Sequence, residues 1–120
     1  MDVKKIAELH YYEGMNFAEI GRKLSCSRQY IQQLFNRDTA DTQKEKDAVL
    51  HEAIEEYTRA KHEMPNNIRV RILRNILHLS QQEIADDIGI TQSRISSLEN
   101  SSINSQYYSV IFDKYEIIWQ

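Results

Sequence analysis

Two short segments set glutamine and arginine at the start of a helix, directly behind a hydroxyl residue. They are Ser27-Arg28-Gln29-Tyr30-Ile31-Gln32-Gln33-Leu34 and Thr91-Gln92-Ser93-Arg94-Ile95-Ser96-Ser97-Leu98. In each, two apolar residues three apart (Ile31 and Leu34, Ile95 and Leu98) make one inward stripe at helical period. That leaves Arg28, Gln29, Tyr30, Gln32 and Gln33 outside on the first, and Gln92, Ser93, Arg94, Ser96 and Ser97 on the second. A glutamine amide offers a donor and an acceptor that match the major-groove edge of adenine, and a guanidinium matches guanine. Each good pair discriminates by about 1 to 3 kcal/mol. A capped helix N-terminus also favours phosphate. The chemistry on offer is recognition of a base-bearing polyanion, without bond cleavage.

Other reactive residue types are placed less suggestively. His10, His51, His62 and His78 have no i, i+4 histidine partner and no cysteine companion, so no metal site is implied. The single cysteine, Cys26, cannot form an internal disulfide and reads as a small buried apolar group. The pairs Glu55-Glu56 and Asp86-Asp87 are adjacent on helices and diverge, unlike a facing catalytic pair. No catalytic residue, no cofactor and no enzyme activity are expected. Tyr107, Tyr108, Phe112, Tyr115 and Trp119 could stack on nucleotides, but their spacing favours closing a core or a dimer contact.

The elements that carry the two segments follow from period and caps. With 3 Gly and 1 Pro in 120 residues, the chain lacks the turn-formers of a many-stranded β fold, and an all-α fold is expected. A first helix spans Lys4 to Glu13, with Ile6, Leu9 and Tyr12 inward. Asn16 with Glu19 forms a capping box for a second, whose face is Phe17, Ile20, Gly21 and Leu24. Ser27 caps a third, running to Arg37. Thr42 with Glu45 opens a long helix to Glu63, ended by Pro65, with a narrow stripe of Leu50, Ile54, Tyr57 and Met64. It reads either as a surface helix packed on its neighbours or as a dimerising coiled coil. Asn66 or Asn67 caps a helix bearing Ile68, Ile72, Leu73, Ile76 and Leu77. Ser80 with Glu83 boxes the next, Gln81 to Ile88, and Thr91 caps Gln92 to Asn100.

The organisation of the first forty residues thus returns. Superposing Ser25 on Gly89 sets Ile20 on Ile84, Gly21 on Ala85, Leu24 on Ile88, Cys26 on Ile90, Ile31 on Ile95 and Leu34 on Leu98. A small residue at a helix crossing, a tight turn and apolar clamps are what a helix-turn-helix requires. The stretch Leu79 to Asn100 resembles the lambda-repressor and Cro type of helix-turn-helix, the XRE family, over about residues 67 to 118. That resemblance implies that Gln92, Ser93 and Ser97 face bases, that Arg94 reaches a base or a phosphate, and that Gln81 and Asn100 contact phosphate. The serine-rich loop after Asn100 departs from the family pattern. Phe17 to Leu34 is similar to the helix-turn-helix of sigma-factor region four and of resolvase-like domains, with Ser25 where a glycine is often found. That likeness implies Arg28, Gln29, Gln32 and Gln33 as its base-facing set and Arg22 and Lys23 as phosphate contacts.

The expected organisation is two helix-turn-helix units, residues 1–40 and 65–120, joined by a linker helix at 41–64. The net charge of −3 divides as +1, −3 and −1 over residues 1–40, 41–64 and 65–120, so the acid is concentrated in the linker. DNA responds to the local field, and a near-neutral unit with placed Arg and Lys can still bind. No apolar run approaches a membrane span and the N-terminus lacks an apolar signal core, which implies a soluble cytoplasmic protein. The expected function is a sequence-specific double-stranded DNA-binding transcriptional regulator, a repressor of bacterial or bacteriophage origin, acting alone or as a homodimer. The alternative is a protein-binding inhibitor or adaptor of polymerase or a host defence enzyme, using the N-terminal unit for its partner and also regulating its own promoter. As an extended helix, Thr42 to Glu63 would span about 33 Å at ~1.5 Å per residue, near the spacing of successive major-groove faces. It could hold the units on unlike half-sites, or fold back.

Overall fold

A computed structural model describes residues 2–37 and 39–119, with the side chains of 118 and 119 outside the description. The chain is all-α. Its helices are α1 (Val3–Tyr11), α2 (Phe17–Leu24), α3 (Arg28–Phe35), α4 (Ala40–Ala60), α5 (Asn66–Leu77), α6 (Gln81–Ile88), α7 (Gln92–Asn100) and α8 (Tyr107–Tyr115). Single 3-10 turns follow α4 at Lys61–Glu63 and α8 at Glu116–Trp119. Among the described residues, no helix is long and apolar enough to cross a membrane, and no cluster of three or more His, Cys, Asp or Glu is placed to hold a metal ion.

The capping signals at α2, α3, α6 and α7 lie where the sequence sets them. Asn16 accepts from Glu19 N at 2.8 Å while Glu19 Oε1 accepts from Asn16 N at 3.0 Å. Ser80 and Glu83 repeat that reciprocal pair at 3.0 Å each. Ser27 and Thr91 cap α3 and α7 by accepting from Tyr30 N and Arg94 N. The long helix departs from expectation: it starts at Ala40, capped by Thr39, whose hydroxyl accepts from Thr42 N at 3.2 Å. Its first turns are held against α3 by Lys46, whose Nζ donates to Phe35 O at 2.5 Å and lies over the Phe35 ring. Neither Asn66 nor Asn67 caps α5, because Pro65 occupies the cap position and the helix begins at Asn66. The first helix ends at Tyr11 rather than Glu13, and α3 at Phe35 rather than Arg37.

The repeat survives folding. Each superposed pair shares its burial: Ile20 and Ile84, Gly21 and Ala85, Ile31 and Ile95, and Leu34 and Leu98 are buried, whereas Leu24 with Ile88 and Cys26 with Ile90 are half-buried. The turns match as well. Ser25 and Gly89 both adopt the left-handed conformation, at φ 60° and 77°. Cys26 N donates to Gly21 O at 2.8 Å, and Ile90 N donates to Ala85 O at 3.0 Å. The first turn is the tighter one, since a methyl added at Gly21 would lie 2.6 Å from Cys26 O.

The long helix is folded back along α1 and reaches α5, so it is not a free-standing spacer. Its buried stripe is Val49, Ala53 and Tyr57, one residue ahead of the expected Leu50 and Ile54, which are half-buried at its edge; Met64 is half-buried beyond the helix. Tyr12 is likewise at an edge, its hydroxyl donating to Glu52 at 3.2 Å. α5 runs through the middle, burying Val70, Ile72, Leu73 and Ile76 against elements on both sides. One core cluster joins all eight helices. α8 closes it with Tyr108, Ile111 and Phe112, and the Tyr108 hydroxyl donates to Leu98 O at 2.8 Å at the end of α7. Tyr107 and Tyr115 are half-buried. The expectation for Trp119 lies outside the described side chains.

His10 is buried, stacked on Phe17 at 4.9 Å between centroids and edge-on to Phe35. Desolvation pushes its pKa down to about 4, against the hydrogen bond that Nδ1–H donates to Met15 O at 2.8 Å. The folded state therefore holds neutral imidazole where the unfolded chain binds a proton.

Two outcomes are expected in denaturant unfolding. Gly21→Ala should cost about 1 to 3 kcal/mol through the clash with backbone, while Ser25→Gly should add up to about 1 kcal/mol by relieving the left-handed strain. Stability should also be full above pH 6.5 and fall by about 3 kcal/mol as pH drops towards 4; His10→Phe should flatten that interval, and an unchanged slope would remove His10 as its cause.

Candidate nucleic-acid interface

The residues expected to face a ligand on the second unit begin at the N-terminus of α7, where Thr91 sets the helix start and Ile95 and Leu98 fix its rotation by being fully buried. Gln92, Ser93, Arg94, Ser97 and Asn100 are consequently exposed. They are not equally free. Ser97 Oγ donates to Ser93 O at 3.1 Å and Asn100 Nδ2 donates to Ser96 Oγ at 3.2 Å, both within the helix. Arg94 Cζ lies 5.6 Å from the Tyr107 ring centroid, within reach of a cation–π contact that directs the guanidinium along the helix surface.

Gln92 is held by a chain of polar contacts that starts in the core. Arg74 on α5 grips Glu99 on α7 through two hydrogen bonds, Nε to Oε2 at 2.6 Å and Nη2 to Oε1 at 3.1 Å. Glu99 is buried, and the Arg74 side chain is 15% exposed. Gln81, at the start of α6, donates its amide to Glu99 Oε1 at 3.0 Å and accepts from Gln92 Nε2 at 3.3 Å. Gln81 thereby bridges the buried carboxylate of Glu99 and the exposed amide of Gln92. Gln92 keeps its carbonyl and one amide hydrogen, the pair that matches the edge of adenine. Gln81, expected as a phosphate contact, is half-buried and engaged in this relay.

Sequence reading did not find Arg74 or Glu99. Their one signal is a charged residue beside the apolar stripe of each helix, and nothing local pairs positions twenty-five apart.

The first unit presents its residues differently. Arg22, Lys23, Arg28, Gln29, Gln32 and Gln33 are all exposed. Gln29, Gln32, Gln33 and Asn36 line a shallow depression of about 330 Å³ on the outer face of α3, with Tyr30 exposed among them. No carboxylate anchor like Glu99 stands behind these amides among the described residues. The two sets do not merge into one patch, but they border common ground. A cleft of about 470 Å³ has Gln32 and Asn36 of α3 on one wall and Arg74, His78, Ser80 and Glu83 on the other. Arg28 lines an adjoining cleft with Asn16, Arg74 and Asn75.

The first unit is docked on the second by α5. Arg71 Nε donates to Gly14 O at 3.0 Å and its Nη2 is paired with Glu19, the capping-box residue of α2. Asn75 Nδ2 donates to His10 O at 2.9 Å and to Met15 O at 3.2 Å.

Residues 70–105 match a family model described as helix-turn-helix, from within α5 to the loop after α7. No curated protein and no solved structure matches the chain. The family match supports a DNA-binding, transcription-regulating role for the segment that holds the Gln92 relay.

Removing one member of the Arg74–Glu99 pair leaves the other charge buried and should cost about 3 kcal/mol. Glu99→Leu and Arg74→Met are each expected to show that loss in denaturant unfolding, and the double variant is expected to recover most of it. Additive losses would mean the two side chains do not act as a pair.

Proposed function

We propose that the protein is a sequence-specific double-stranded DNA-binding transcriptional regulator, a repressor, whose reading element is the α6–α7 helix-turn-helix. In this reading α7 enters the major groove with Gln92, Ser93, Arg94 and Ser97 towards base edges, and Gln81 and Asn100 lie beside the backbone. Gln92 pairs bidentately with adenine, and Arg94 reaches guanine or a phosphate. The observation that carries the reading is the fixed amide of Gln92, aligned through Gln81 by a buried ion pair and left with one donor and one acceptor facing solvent. A rotamer already fixed loses little entropy on binding, so more of its hydrogen-bond energy is expressed as discrimination.

Selection of bound duplexes from random DNA by the full chain tests this, and it should enrich one motif containing an A·T pair at a fixed position. Gln92→Ala should then weaken binding to the selected site by about 1 to 3 kcal/mol and relax preference at that base pair alone. Equal losses on selected and random duplexes would count against base reading by α7.

A further inference from the structure

The two helix-turn-helix units are oppositely charged. From Asn16 to Arg37 there are four basic residues, Arg22, Lys23, Arg28 and Arg37, and one acid, Glu19. From Ser80 to Ser105 there is one basic residue, Arg94, and four acids, Glu83, Asp86, Asp87 and Glu99. Ion pairing leaves the contrast in place and makes the first segment the more strongly charged. Glu19 is neutralised by Arg71 from α5, whereas all four basic residues of the Asn16 to Arg37 segment are exposed and belong to no ion pair among the described residues. In the second unit Glu99 is neutralised by Arg74, leaving Glu83, Asp86 and Asp87 exposed against Arg94.

Duplex DNA carries one negative charge per ~1.7 Å of axis, and most of the affinity for it comes from neutralising phosphates. The second unit, with its aligned Gln92, has the reading group and the wrong local sign. The first has the charge and no anchored amide. They are not independent, because Arg71 and Asn75 fix the α1–α2 turn of the first against α5. Gln32 and Asn36 on α3 share one cleft with Arg74 and Ser80, and Gln81, next to Ser80, accepts from Gln92.

Resting on the reading above, we propose that both units engage one and the same duplex, with labour divided between them. The first holds phosphates through Arg22, Lys23 and Arg28, and the second reads bases through Gln92. The salt dependence of binding then belongs to the first unit and the sequence preference to the second.

The test is a salt titration of the full chain on its selected duplex and on a random one. Combined Arg22→Gln, Lys23→Gln and Arg28→Gln should lower the slope of log K against log salt by about 0.9 for each lost contact, between about two and three in all. Affinity for both duplexes should fall together and their ratio should stay. The charge-keeping pair Arg22→Lys and Arg28→Lys should retain the slope, and Arg28→Gln alone should lower it by about one. Gln92→Ala should do the reverse, lowering the ratio about 5- to 150-fold at an unchanged slope. A wild-type slope in the triple variant, with Gln92→Ala still lowering the ratio, overturns this inference alone and gives the basic face to another partner, such as an acidic protein. If the wild-type chain prefers no duplex and Gln92→Ala changes nothing, the reading above fails and this one with it.

Discussion

Three guanidinium groups on α5 hold the molecule in its arrangement, each gripping a carboxylate from a different part of the chain. Arg69 binds Glu116 in the turn after α8, Arg71 binds Glu19 at the start of α2, and Arg74 binds Glu99 in α7. Their side chains are only 12 to 16% exposed. Such pairs add little net stability over apolar residues of the same volume, but losing one partner is costly, so they select one docking geometry against others. Glu116 illustrates the balance: burial would raise its carboxyl pKa, yet hydrogen bonds from Arg69 and Tyr57 and the charges of Arg69 and Lys61 hold it below the usual range. Through this one carboxylate the tail is tied to α4, to the turn after it and to α5.

Local signals were readable in the sequence because they involve residues three or four apart. The capping boxes of α2 and α6, the inward stripes of α3 and α7 and the equivalence of Ser25 with Gly89 are all of that kind. What could not be read depended on distant partners. Whether Val49 and Ala53 or Leu50 and Ile54 face inward on α4 is decided by α1, which lies against one of two adjacent stripes. Thr39 and Thr42 are both competent caps, and the anchoring of Lys46 on Phe35 accompanies the earlier start. The outward glutamines of the candidate site were readable, but their difference was not: Gln92 is tied through Gln81 to Glu99 and Arg74, which no spacing rule connects, while among the described residues Gln29, Gln32 and Gln33 lack such a backing.

The repeat thus produced two units alike in backbone and unlike in chemistry. Gly21 permits a closer turn than Ala85, and Ser25 accepts strain that Gly89 avoids. The α6–α7 unit carries an anchored amide and exposed acids on α6; the α2–α3 unit carries exposed basic side chains. α5 contacts both at once, and the long helix runs back along α1 instead of separating them.

Hydrogen exchange read segment by segment tests that central claim most directly. If the α5 arginines make the two units one body, amides in the middle of α1 and α3 should be protected to the same free energy as those of α5 and α7. Arg71→Ala should then lower protection in α6 and α7 as well as in α1, α2 and α3. A wild-type chain in which α1 to α3 exchange at a separate, lower free energy that Arg71→Ala does not alter would contradict the account.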